Sequence, residues 1–318
     1  MTKYINTAIF CLFISITVQA TSISDSTFVE TPIILHTGSG DIFGTLTTPK
    51  TFTKIPVALI IAGSGPTDRN GNNQMMKNES LRMLAYSLAN NGIASLRFDK
   101  RAIGESMNAA KSETDLRFEN YIDDAKGWIE LLKKDNRFSK VVVVGHSEGS
   151  LIGMIASVHI ADGYISIAGA GKSADKIIKE QLTSQPQTVK DLSFPVIDSL
   201  VLGKTISNVN PMLNSLFRPS VQPYMISWFH YDPQIEIQKL TIPVLIIQGT
   251  NDIQVSEEDA LLLAKANSKA QLVLIKKMNH VFKIVDGDRN ANIAAYNNPV
   301  LPISSELTNS IVTFIKKL

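Results

Sequence analysis

The sequence predicts an α/β fold: a mostly parallel sheet with helices on both faces and a helical cap inserted ahead of a late strand. Three observations predict it. Short apolar runs that read as buried strands recur at residues 56–62, 93–98, 141–144, 164–168, 242–249 and 270–276. Segments of helical character separate several of them, near 79–90, at 114–134 and from Ser150 onward, and such alternation makes a parallel sheet covered on both sides. The alternation then lapses over 172–239, which has no strong strand, several helical stretches and many aromatic residues.

The elements follow in order. Lys3 precedes an apolar run from Ala8 to Val18, and Val18-Gln19-Ala20 suits cleavage after a small residue. The run is too short to cross a bilayer, so residues 1–20 are expected to be a signal peptide cleaved near Ala20. The chain is then secreted or periplasmic, with no stable membrane association after cleavage. The single cysteine, Cys11, falls in this segment, which leaves no disulfide and no thiol catalyst in the rest. Residues 28–49 read as two strands around Thr37-Gly38-Ser39-Gly40, a hairpin at the sheet edge. Gly92 ends the helix near 79–90. The expected organisation is a core over 21–171, the cap over 172–239 and the rest of the core over 240–318.

At 318 residues and 44% hydrophobic content the chain can bury a large core. A net charge of +2 with no basic cluster argues against nucleic acid as a partner. No cluster has metal-ligand spacing and no phosphate-loop pattern occurs, so neither metal nor cofactor is expected.

Residues 141–153, VVVVGHSEGSLIG, carry the chemistry. Four valines make a buried strand, Gly145-His146-Ser147-Glu148-Gly149 makes a G-x-S-x-G turn, and a small-residue apolar helix follows. In that context the turn is tight enough to force the serine into a strained conformation and to demand glycine on either side. The helix then aims free N–H groups and its positive end at an incoming oxyanion. Ser147 therefore reads as a nucleophile, which needs a base and an orienting acid.

Five histidines are available: His36, His146, His159, His230 and His280. The order serine, acid, histidine removes the first three except as structural residues. His280 follows an apolar strand in Lys277-Met278-Asn279-His280, whereas His230 lies in the aromatic segment SWFHYDP. His280 is the candidate base. Asp252 follows the strand at 242–249 on a strand-end loop and is the candidate acid. Asp286 and Asp288 come after the histidine, in a polar loop, and are expected to be solvated.

An oxyanion hole takes one N–H from the residue after the serine, here Glu148. The second is expected from the glycine-rich loop after residues 56–62, with Ser64 the best candidate and Gly65 the alternate. The Glu148 side chain cannot point into the hole without repelling the oxyanion. It is expected to find a cation, Arg69 first and Arg101 second. Over the site, Trp228, Phe229 and Tyr231 are the candidate pocket wall, although more than half of the cap aromatics must build the cap's own core.

Together, GSGPTDRNGN, FDKRAIGES, GHSEG, PSVQPYMISWFHYDP, GTNDIQV and MNH resemble an α/β-hydrolase-fold serine esterase of the bacterial EstD-type carboxylesterases. The resemblance spans nearly the whole chain beyond the leader. It departs at Ala62, where many relatives in the wider superfamily carry a histidine before the oxyanion glycine. It implies an α/β-hydrolase fold with the cap inserted before the acid-bearing strand, and hydrolysis of small carboxylic esters of short to medium acyl chain. A serine aminopeptidase or thioesterase would use the same machinery. A non-catalytic ligand-binding relative would have lost one of the three residues.

Overall fold

The computed structural model describes residues 27–51 and 53–318; the leader assigned to 1–20 lies outside them. The sheet has eight strands: β1 (Phe28–Thr37), β2 (Gly40–Pro49), β3 (Ile55–Ile61), β4 (Ala94–Phe98), β5 (Phe138–His146), β6 (Gly163–Ile167), β7 (Val244–Gly249) and β8 (Gln271–Ile275). Their spatial order is β1-β2-β4-β3-β5-β6-β7-β8. The β1–β2 hairpin is antiparallel and forms the edge, β2 runs antiparallel to β4, and every pairing from β4 to β8 is parallel. This is the architecture expected from the sequence.

The helices are α1 (Ser80–Asn90), α2 (Phe118–Lys134), α3 (Glu148–Ser157), α4 (Ala174–Leu182), α5 (Gln187–Val201), α6 (Asn214–Phe217), α7 (Gln222–Phe229), α8 (Pro233–Gln238), α9 (Glu257–Ala266), α10 (Arg289–Ala295) and α11 (Ser305–Lys316). The central strands show why both sheet faces are covered. Val57, Leu59, Val141 and Val143 face a core shared with α2, α3 and α9, while Ala58, Ile60, Val142 and Val144 face one shared with α1 and α11. An unbroken valine run is what a strand buried on both faces requires.

Two stretches depart from expectation. The helix expected over 114–134 is broken: a 3₁₀ turn at Glu113–Asp115 ends at Leu116 in an extended conformation, and α2 starts only at Phe118. The Arg117 N–H donates to Asn120 Oδ1 at 2.8 Å, a side-chain cap that fixes the later start. The C-terminal helices α10 and α11, unassigned from the sequence, close the end of the chain. Asp288 is exposed, as expected, and also caps α10 by accepting from the N–H groups of Asn290 and Ala291. Asp286 is exposed and pairs with Lys277 at 2.7 Å.

Residues 174–229 form α4 to α7 over a core of their own that includes Ile178, Val196, Ile197, Phe217, Met225 and Phe229. By contrast Ile237 of α8 and the neighbouring Leu240 pack into the core beneath the sheet. Among the described residues no helix is long and apolar enough to cross a membrane.

Candidate active site

The site lies at the carboxyl ends of β3, β5, β7 and β8, where open parallel sheets place ligands. Ser147 follows β5 directly with φ 55° and ψ −121°, the left-handed strain anticipated for a nucleophile turn. The flanking glycines are required by close approach. A Cβ on Gly145 would lie 2.2 Å from the Gly149 carbonyl oxygen, and one on Gly149 would lie 2.4 Å from that of Ile61. The Ser147 N–H donates to the Ile167 carbonyl at 3.0 Å, which pins the turn to β6.

Asp252 and His280 meet as expected, with His280 Nδ1 2.7 Å from Asp252 Oδ2 and both side chains almost fully buried. A carboxylate only accepts, so Nδ1 carries the proton and Nε2 is left with a lone pair. The other Asp252 oxygen accepts from the N–H groups of Gln254 at 2.8 Å and Val255 at 3.0 Å. Burial pushes the Asp252 carboxyl up, but the charge and hydrogen bond of His280 and these N–H donors outweigh it, holding the group below the usual carboxylate range. The loops that carry Asp252 and His280 are tied together by the Asn251 N–H donating to the Met278 carbonyl at 3.0 Å. Ser147 and His280 line one cavity. His230 does not reach the site; it is exposed at the end of α7.

His146, expected to be structural and on the wrong side of the turn to act as base, packs against His280. Its ring centroid is 4.7 Å from that of His280, and its Nε2 donates to the His280 carbonyl at 2.9 Å. Burial, then the neighbouring His280, push its imidazole down to about 3. His146 is thus neutral and fixes the backbone at His280.

Glu148 does find a cation, but neither expected arginine. Lys100 Nζ lies 2.7 Å from Glu148 Oε2, and Tyr224 donates to Oε1 at 2.6 Å. Arg69 is held by Asp99 at 2.7 Å and by Glu105; Arg101 is held by Asp124. Nearer carboxylates have taken both. Strand alternation carried the missed signal, because Ala94, Leu96 and Phe98 of β4 face the α2–α3 side, and the same parity extended past the strand reaches Lys100. Lys100 also donates to the Gly63 carbonyl at 2.7 Å. The glycine-rich loop after β3 is braced further by Thr67 Oγ1 on the Ser64 carbonyl at 3.0 Å and by Asp68 Oδ1 on the N–H groups of Asn70 and Asn72, each at 2.8 Å. Ser64, Gly65, Ser147 and Glu148 all line the cap cavity, and Ser64 and Ser147 also line the cavity that holds His280.

The cap cavity has a volume of about 310 Å³. Of the three aromatics expected on its wall, only Trp228 lines it, its ring stacked on Phe118 at 5.9 Å. Phe229 points into the cap core, and the Tyr231 hydroxyl donates to Glu119 at 2.9 Å. Neighbours on a helix project about 100° apart, so Trp228 and Phe229 could not share one wall. The wall residues of this segment are Val221, Tyr224, Met225 and Trp228, the i, i+3, i+4, i+7 stripe of a helix face, legible in the sequence once the helix is recognised. Among the described residues no group of three or more His, Cys, Asp or Glu side chains could hold a metal ion.

Residues 77–218 match the family model described as serine aminopeptidase, S33. The chain is 27% identical over 270 residues to Esterase EstD of Thermotoga maritima, covering 80% of this chain and 60% of that protein. It therefore spans less than two thirds of the length of this curated relative. Among solved structures, Est1E from Butyrivibrio proteoclasticus superposes with a TM-score of 0.58 at 16% identity, over 90% of this chain and 99% of that one. The α/β hydrolase GrgF from Penicillium sp. sh18 does so with 0.61 at 16% identity, over 91% and 98%. The fold is that of the α/β hydrolases, and the chain resembles the EstD-type esterases.

Proposed function

We propose that this chain is a serine carboxylesterase acting on esters of short to medium acyl chain, with Ser147 as nucleophile, His280 as general base and Asp252 orienting it. The observation that carries this reading is the 2.7 Å Asp252–His280 pair, opening on the same cavity as a serine held in the left-handed region. His280 Nε2 takes the Ser147 hydroxyl proton as Oγ attacks the ester carbonyl carbon. The oxyanion is received by the N–H of Glu148, at the first position of α3 and without an intrahelical partner, and by that of Ser64 or Gly65. His280 then gives the proton to the departing alcohol oxygen as the C–O bond breaks, leaving an acyl group on Ser147. Water repeats the sequence and releases the acid.

The position of the base divides the substrate. A leaving alcohol must sit where His280 can protonate it, hence in the cavity that His280 lines. The cap cavity touches Ser147 and the oxyanion residues but not His280, so it takes the acyl chain. Leu151, Ile177, Ile178, Val221, Met225 and Trp228 give it an apolar lining, suited to a hydrocarbon chain.

The family model and shared machinery raise peptide cleavage as the rival. An aminopeptidase needs a carboxylate for the substrate amine, and the one acidic residue lining the acyl cavity, Glu148, is already bound by Lys100 and Tyr224. Ester hydrolysis is favoured on that ground. The test is the purified protein with p-nitrophenyl esters of graded chain length, alongside aminoacyl p-nitroanilides. Ester turnover and fluorophosphonate labelling are expected, both lost in Ser147→Ala with the fold intact. Labelling that survives the substitution, or amides cleaved as fast as esters, would overturn the reading.

A further inference from the structure

The leaving-group side has more structure than a small alcohol needs. The cavity holding Ser147 and His280 has a volume of about 320 Å³ and is bounded outward by Met75, Met76, Gln254 and Tyr296. The same four residues form the inner end of a second, larger groove of about 610 Å³, which runs between α4 and α10. The two share these four residues and are therefore adjacent, the groove lying next to the cavity that holds Ser147.

The chemistry along that path is specific. Met75 and Met76 offer thioether surface that adapts to an irregular C–H face, and Tyr296 offers a half-buried ring. Four uncharged amides, Gln181, Gln185, Gln254 and Asn297, and the Ser184 hydroxyl supply hydrogen-bonding groups, while Ile253 and Ile293 add apolar surface. The Tyr296 hydroxyl accepts from Gln254 Nε2 at 3.1 Å and keeps its own proton to donate. Gln181 uses its Nε2 on the Gln254 carbonyl at 3.1 Å and keeps its side-chain oxygen; Asn297 accepts from the Lys77 N–H at 3.0 Å and keeps its amide donors. Arg289 is the one cation in the lining, and no carboxylate among the described residues pairs with it. The single acid in the groove, Glu180, is bound to Lys172 at 2.8 Å.

Each simple class of alcohol fits this lining differently. An alkyl chain would gain contact with Met75, Met76, Ile253 and Ile293 but would strip water from four amides and a guanidinium without replacing their hydrogen bonds, which costs affinity. A cationic alcohol would find no free carboxylate and would face Arg289. A polyhydroxy alcohol satisfies the amides and the guanidinium with its hydroxyls and lays its C–H face on the methionines and Tyr296. Resting on the esterase reading above, we infer that the α4–α10 groove is a leaving-group site for a sugar or similar polyhydroxy alcohol, so that the natural substrate is an acylated sugar.

The test compares three butanoates on the full chain: 6-O-butanoyl methyl glucoside, n-hexyl butanoate and p-nitrophenyl butanoate. The sugar ester is expected to exceed the hexyl ester by about tenfold or more in kcat/KM. That ratio should drop several-fold in Arg289→Ala and in Gln185→Ala, both surface substitutions that leave the core intact, with the change mainly in KM for the sugar ester. If p-nitrophenyl butanoate is turned over but the hexyl ester matches the sugar ester, the groove assignment is overturned and the esterase reading stands. A ratio unchanged in both variants also overturns the groove assignment. No turnover of any of the three overturns both.

Discussion

Lys100 Nζ lies 2.7 Å from Glu148 Oε2 and 2.7 Å from the Gly63 carbonyl oxygen, so one buried ammonium joins the residue after the nucleophile to the proposed oxyanion loop. Tyr224 of the cap donates to the same carboxylate, which brings core, loop and cap to one point. Removing one member of a buried pair leaves the other uncompensated, at a cost of about 3–5 kcal/mol. Lys100→Met should therefore lower unfolding free energy by that order in urea titration. Lys100→Met combined with Glu148→Gln should recover much of it, because no bare charge is left inside. The single variant should also lose kcat more than KM, since the N–H groups it frees are proposed to act on the transition state. A single variant as stable as the parent would mean that the pair contributes nothing.

The two late histidines separate cleanly. His280 is buried against Asp252, while His230 is exposed at a helix end and outside both cavities. His280→Ala should lower kcat by about 10³-fold or more, and Asp252→Asn should also be severe because an amide presents the wrong tautomer to the ring. His230→Ala should leave kcat and KM within about twofold of the parent, on the usual scale of surface substitutions. An inactive His230→Ala with an active His280→Ala would reverse the assignment.

What was legible in the sequence was local. The nucleophile turn is written in consecutive residues: a valine run to make the strand, two glycines to permit the close approach, and small residues to start the helix. Asp252 and His280 were legible because each ends a strand whose apolar run is visible, and parallel strands deliver their ends to one edge. Less was visible where partners come from distant elements. Lys100 was overlooked beside Arg101 because its burial depends on α2 and α7 packing over it, as the Tyr121 ring 5.1 Å from its Nζ shows. Tyr231 was placed on the pocket wall because its hydrogen-bond partner, Glu119, lies 112 residues away. His146 is legible as a structural residue, but what it holds is not, its carbonyl partner being 134 residues away.

His146 gives the stability a pH dependence of definite sign. Its folded-state pKa is about 3, against roughly 6.5 for an unfolded histidine. Below about pH 6.5 the unfolded chain binds a proton that the folded chain excludes, so stability falls as the pH drops toward 3. The slope from this group is at most about 1.4 kcal/mol per pH unit. His146→Gln keeps an N–H donor for the His280 carbonyl and does not titrate. Unfolding free energies measured at pH 7.5, 6 and 5 should therefore decline less steeply in the variant than in the parent. Parallel curves would show that His146 is not held neutral by the fold.

Trp228 lines the cavity proposed to take the acyl chain, and on that reading it limits the chain's length. Its ring closes the cap cavity on the helix stripe formed with Val221, Tyr224 and Met225, and it is braced from behind by Phe118. Each methylene buried in such a cavity contributes roughly 0.8 kcal/mol until the space is full, after which added length clashes. With about 310 Å³ available, kcat/KM on p-nitrophenyl esters should rise from acetyl to about butanoyl or hexanoyl and then fall, with little action on emulsified long-chain triglyceride. Trp228→Ala removes the indole and opens that wall, so the optimum should move by about two or more carbons toward longer chains while acetyl ester turnover drops. Phe229→Ala should instead destabilise the cap, by about 3–5 kcal/mol as for other buried aromatics, without moving the optimum. An optimum unchanged in Trp228→Ala would place the acyl chain elsewhere, and a parent preference for long-chain emulsions would make the chain a lipase.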